Sequence, residues 1–171
     1  MLILTTLLNA ALAAPLGADE LAIAYHGDFI THPGVDGRLS WTLNDHPSRP
    51  FSLETEIGGY WHPRNLVAAY VQAGPSVRWE TKRGSTYGLF AHVGAQHGFY
   101  AAPTYTTEGG AVQRARLAGD SWWTLRAGPE FGHTLKGESL NAWFIRTQIG
   151  LRLPTVHTVG LDFAVSAGVR I

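Results

Sequence analysis

The chain has 171 residues, a formal net charge of zero, no cysteine, and only 15 % charged side chains. That length fits a single domain. Neutrality argues against a nucleic-acid partner, which needs a basic face, and the lack of cysteine excludes disulfides and thiolate metal ligands.

Residues 1–18 carry no charged side chain. Leu2 to Leu8 form a short apolar run, with no Lys or Arg before it, and Ala11-Leu12-Ala13 offers the small-x-small spacing of a signal-peptidase site. Residues 1–14 are therefore expected to be a removed secretion signal, and 15–171 one β-domain. No other stretch approaches the ~20 apolar residues of a membrane-spanning helix, so any insertion must use strands.

Eight strands follow in order. The first spans 20–30, with Leu21, Ile23, Tyr25 and Phe29 on one face, and ends at a His32-Pro33-Gly34 turn. The second, 35–43, is closed by the turn-rich 44–50, and the third, 51–61, by His62-Pro63-Arg64-Asn65. The fourth and fifth, 66–80 and 86–100, flank a turn at 81–85. Residues 101–120 form the one long connection, where Ala111, Gln113, Ala115 and Leu117 alternate as a hairpin would. Strands 121–133, 140–153 and 159–171 complete the set, with turns at Lys136-Gly137 and 154–158. No helix-period segment competes.

From the second strand onward every charged side chain in these segments has an even number. Asp36, Glu54, Glu56, Glu80, Glu130 and Asp162 share that face with Arg38, Arg78, Arg126, Arg146, Arg152 and Arg170. Alternation puts these six acids and six bases on one surface and apolar groups on the other. A soluble barrel would hide the apolar face, whereas an outer-membrane barrel shows it to lipid.

Three features favour the second. The polar face uses Arg rather than Lys, as an enclosed face needs, and ten glycines there, from Gly58 to Gly168, leave room for long side chains. Outward aromatics gather at strand ends: Trp41, Phe51, Trp79, Tyr87, Phe131 and Trp143 toward one rim, and Trp61, Phe99 and Trp123 toward the other. The strands, most of them about 11–15 residues long, also reach the ~9–11 that cross a bilayer.

In plan the chain resembles the small eight-stranded outer-membrane barrels of Gram-negative bacteria, such as the membrane domain of OmpA and OmpX. The last strand, Val159 to Ile171, is similar to their C-terminal assembly signal, although theirs usually ends on Phe or Trp. The resemblance implies an antiparallel up-and-down transmembrane β-barrel in the outer membrane. It also implies lipid and the assembly machinery as partners, a monomer, and no cofactor. Both termini, with 44–50, 81–85 and 134–139, would face the periplasm; 28–34, 62–65, 101–120 and 154–158 would face outside.

Two groups of residues are candidates for function. Glu54, Glu56, Arg78, Glu80, Arg126, Glu130, Arg146, Arg152, Asp162 and Arg170 are expected to pair inside the barrel, since buried charges must be paired. An eight-stranded interior is also about filled by side chains, which argues against an open pore. At the outer rim His26, His32, His62, His97 and His157, with Asp28, Arg64 and Asn65, form a candidate metal or catalytic cluster.

The leading expectation is a non-enzymatic barrel, structural or presenting its loops. One alternative is a lipid-modifying hydrolase or a metal-binding activity at the histidine-rich rim. Another is a soluble periplasmic barrel holding a small apolar ligand. Lipid A deacylases of similar size carry a His-x-Ser motif facing the outer leaflet. The one such motif here, His46-Pro47-Ser48, falls in a predicted periplasmic turn.

Overall fold

The computed structural model describes residues 17–28, 32–44, 46, 49–63, 66–108, 111–114, 118–135, 142–154 and 159–171. Among the described residues there are ten strands: β1 (Glu20–Asp28), β2 (His32–Thr42), β3 (Phe51–His62), β4 (Leu66–Glu80), β5 (Ser85–Tyr100), β6 (Tyr105–Glu108), β7 (Ala111–Arg114), β8 (Gly119–Thr134), β9 (Ala142–Pro154) and β10 (Gly160–Arg170). Eight of them close a barrel in the order β1-β10-β9-β8-β5-β4-β3-β2, while β6 and β7 pair as a separate hairpin. All pairings are antiparallel, and β1 meets β10 from Ala22↔Arg170 to Asp28↔Ala164. The start of β1 and the end of β10, the two termini of the described barrel, therefore lie at one end. The expected signal segment and the His157 region lie outside the described residues.

The eight-strand expectation is borne out, with two adjustments. His32-Pro33-Gly34 is not a turn: these residues are the start of β2, because Asp28 already pairs with His32 and the connection is confined to 29–31. The long 101–120 connection carries its own hairpin, with Tyr105↔Arg114 to Glu108↔Ala111 in register, rather than prolonging the flanking strands. At the end bearing the termini, the β4–β5 turn is held by Gly84 N–H donating to the Thr81 carbonyl at 2.9 Å. Gly84 has φ +85°, a conformation glycine adopts at no steric cost.

Parity is preserved all round the barrel because each of its ladders pairs even-numbered residues with even-numbered ones, as in Arg38↔Glu56, Arg78↔Gly88 and Asp162↔Gly150, whereas the separate β6–β7 hairpin pairs odd with even. The faces are oriented as expected. Among the described residues, Leu21 and Gly27 are the only buried ones with odd numbers. Arg126, Arg146 and Arg170 are each 1 % exposed, whereas Ile57, Ile149 and Leu161 are 67, 66 and 75 % exposed. This is a globule turned inside out.

Two ladders are interrupted at Gly-Pro pairs. β4–β5 pairing runs to Ala73↔Val93 and resumes at Ser76↔Phe90, skipping Gly74-Pro75. β8–β9 pairing skips Gly128-Pro129 in the same way. Proline lacks the N–H a ladder needs, so each gap has a chemical cause.

Candidate functional site

The glycines set the geometry of the lumen. Gly88 lies between Arg78 on one neighbouring strand and Glu130 on the other, and Gly150 lies between Arg126 and Asp162. With no side chain on the middle strand, partners two strands apart meet over it. Arg126 Nε donates to Asp162 Oδ2 at 2.5 Å across Gly150, and Arg78 Nε lies 3.7 Å from Glu130 Oε1 across Gly88. Gly58 is bridged likewise by Tyr70: a Cβ added there would sit 2.5 Å from the phenol oxygen.

Glu130 is the hub. Its Oε2 accepts from Arg38 Nη1 at 2.9 Å and from Arg146 Nη2 at 2.8 Å, while its Oε1 accepts from Arg170 Nη2. Glu54 Oε2 accepts from Arg146 Nη2 at 2.8 Å and lies 3.3 Å from His92 Nε2. Arg152 Nη2 donates to Asp162 Oδ1 at 2.7 Å. Aromatic rings interleave with the guanidiniums: Arg146 lies 3.9 Å over Phe90, Arg126 4.8 Å over Tyr70, and Arg38 and Arg170 are 4.6 and 5.0 Å from Phe144. Such stacking suits the planar, weakly hydrated guanidinium.

Nine of the ten expected lumen residues lie in this lattice. Glu80 does not. It is exposed, at the end bearing the termini, and accepts a hydrogen bond from Thr134 Oγ1 at 3.0 Å. Glu20 takes its place, accepting two bonds from Arg78 at 2.8 and 2.9 Å. The six-to-six balance therefore survives with a different acid. Glu20 was legible by its even number; Tyr70, Phe90 and Phe144 share that parity but carry no charge to draw notice. Around Glu54, Arg78, Glu130 and Arg146 the free cavity is only about 10 Å³, roughly one water. A vestibule of about 210 Å³ opens below it, lined by Glu20, Arg78, Glu80 and Arg170 among others.

The expected rim cluster divides into three. His26 is buried in the lumen at 0 % exposure; its Nδ1 is 3.2 Å from Ser166 Oγ and 3.3 Å from Tyr70 OH. His32 and His62 stay at the rim with ring centroids 3.9 Å apart, and Tyr60 stacks between His32 and His26 at 6.5 and 6.0 Å. His97 belongs to neither group. Its odd position turns it to the outer surface, where Nδ1 is 2.8 Å from Ser121 Oγ on β8. Arg64, Asn65, His157 and the Asp28 side chain lie outside the described residues. So do Pro47 and Ser48, next to an exposed His46.

No family profile and no curated sequence matches the chain. Among solved structures, the outer membrane enzyme PagL superposes with a TM-score of 0.53 at 8 % identity, covering 89 % of this chain and 98 % of PagL. The N-terminal β-barrel domain of Pseudomonas aeruginosa OprF gives 0.49 at 11 % identity, covering 90 % and 98 %. Ail of Yersinia pestis, in a phospholipid nanodisc, gives 0.46 at 13 %, covering 89 % and 97 %. Closed even-stranded topology, uniform parity and the PagL superposition agree: the chain has the eight-stranded fold of the small outer-membrane β-barrels.

Proposed function

We propose that this protein is an integral outer-membrane barrel with a sealed lumen, a structural or surface-presenting element rather than a channel. The observation that carries this reading is the inversion of its surfaces, with Arg126, Arg146 and Arg170 buried at 1 % and Ile57, Ile149 and Leu161 exposed above 60 %. Water would penalise such an exterior; lipid favours it. Aromatic rims support the same placement. Tyr87, Phe131 and Trp143 form a continuous run at 5.3 and 5.6 Å across β5, β8 and β9. Along β8 the distance from Phe131 to Trp123 is about 27 Å of strand, or roughly 20 Å along the axis at the usual tilt, close to the expected apolar band.

The test is partition and conductance together. Refolded protein should need detergent or lipid, migrate differently on a gel before and after heating, and leave planar bilayers electrically silent. Solubility without detergent would favour the soluble ligand-carrying barrel, and steady unitary currents would favour a channel.

One observation favours a second reading, an ester hydrolase. Ser121 and His97 meet on the lipid-facing side near the end opposite the termini, and the edge of Phe99 packs against the His97 ring at 4.5 Å. In this reading Ser121 Oγ attacks an acyl-ester carbonyl while His97 Nδ1 takes its proton and passes it to the departing alkoxide. Water then cleaves the acyl-serine, releasing the fatty acid. PagL, which shares the fold, is an enzyme of the outer membrane. Outer-membrane lipid from cells expressing the protein should then lose the mass of an acyl chain, and Ser121→Ala should restore it. Identical spectra for wild type and empty cells would remove the hydrolase.

A further inference from the structure

We infer that His26, Asp36 and Glu56, with Tyr70 and Ser166 beside them, form a binding site for one divalent transition-metal ion of the zinc type inside the lumen. The three metal-capable side chains come from three adjacent strands, and their ligand atoms lie within 4.8 Å of one another, all buried. The inference is independent of the membrane reading, since the lumen is enclosed in either setting.

The first argument is the crowding of one nitrogen. His26 Nδ1 is 3.2 Å from Ser166 Oγ, 3.3 Å from Tyr70 OH and 3.6 Å from Asp36 Oδ2. A ring nitrogen offers one proton or one lone pair, so it can satisfy one of these oxygens. A metal ion joins several at once. With bonds of about 2.0–2.2 Å, the ligand atoms of a tetrahedral zinc lie about 3.3–3.6 Å apart. Ser166 Oγ to Asp36 Oδ2, at 3.2 Å, and Tyr70 OH to Glu56 Oε1, at 3.1 Å, are close to that spacing. Small movements would complete a coordination shell.

The second argument is charge. Glu20, Glu54, Glu56, Glu130 and Asp162 each meet an arginine. Asp36, only 3 % exposed, has His26 as its ion-pair partner among the described residues, and its Oδ1 has no hydrogen bond. The charge of Arg38 reaches Asp36 only from beyond ion-pair distance, and a buried carboxylate without a close cation is costly. Glu56 is shared: its Oε2 lies 3.6 Å from Arg146 and has no hydrogen bond, while Oε1 accepts from Tyr70 OH at 3.1 Å and from Gln72 Nε2 at 2.9 Å, so Oε2 is the oxygen open to an ion. Imidazole with carboxylates, and no thiolate, suits zinc better than softer ions. The His62, His32 and Tyr60 rings form a continuous run from the rim to His26.

The competing arrangement is an imidazolium at His26 facing Asp36, which neutralises the carboxylate with a proton and binds no metal. Chelator-stripped, refolded protein, checked for the heat-dependent gel shift, should be titrated calorimetrically with Zn²⁺, and with Co²⁺ followed by visible absorption. We expect one ion per chain, a Co²⁺ spectrum of low-symmetry nitrogen and oxygen ligation, and roughly tenfold or greater weakening in Asp36→Asn and His26→Gln. His32→Gln with His62→Gln should leave the stoichiometry at one. Absence of binding by the folded wild type overturns the proposal, as does wild-type affinity in Asp36→Asn. If Asp36→Asn does not fold, His26→Gln decides: zinc must raise the urea midpoint of the wild type and not of this variant, and equal increases reject the lumen site.

Discussion

At the scale of single residues, the lumen turns on Glu130, a carboxylate that accepts from Arg38, Arg146 and Arg170 and has Arg78 within 3.7 Å. Replacing it with glutamine removes the one charge these four guanidiniums share. Glu130→Gln should cost about 3–5 kcal/mol, the usual result of stranding a buried partner, read as a lower urea midpoint in lipid vesicles. Glu80→Gln, at an exposed acid on the same parity, should cost less than about 1 kcal/mol. The reverse ranking would return Glu80 to the lattice and remove Glu130 from its centre. Parity alone could not separate the two, because it assigns a side to each residue but no height along the axis. Height also misplaced His26, whose even number already pointed inward while its place near a strand end suggested the rim.

Among elements, the recurring unit is a glycine strand position spanned by side chains from both neighbours. Gly58 is a case in which one aromatic side chain, Tyr70, covers the position. A Cβ there would meet Tyr70 Oη at 2.5 Å, Tyr70 Cζ at 2.6 Å and the Val35 carbonyl at 2.8 Å. Gly58→Ala should therefore displace Tyr70 from Glu56 and His26 and cost about 1–3 kcal/mol, as overpacking does. At Gly160 the nearest atom would be 3.6 Å away, so Gly160→Ala should be close to neutral. Equal urea midpoints for the two variants would count against bridging over glycine. The even glycines were plain in the sequence, and their use as space for long side chains was expected. Which charges each one separates depended on strand register, and the sequence carries no local signal for that. The His32-Pro33-Gly34 segment shows the same limit: its turn composition yields to the pairing of Asp28 with His32.

For the whole molecule, fold class was the most legible property because alternation is enforced at every position of every strand, and a one-residue slip would drive charges into the apolar face. The candidate sites were less legible because they depend on stagger, which brings Arg38 of β2 to Glu130 of β8, 92 positions away. The hub's partners lie on β2, β4, β9 and β10, so no hairpin satisfies it alone. An open sheet entering a bilayer would carry six arginines toward hydrocarbon with few of their acids in reach. Only closure of β1 on β10 brings Glu20, Arg170 and Glu130 together. If the chain inserts as proposed, the lattice would act on folding as well as on stability: a partly closed barrel would leave arginines short of their acids, and the Glu20–Arg170 pair would tie the last seam to the first strand.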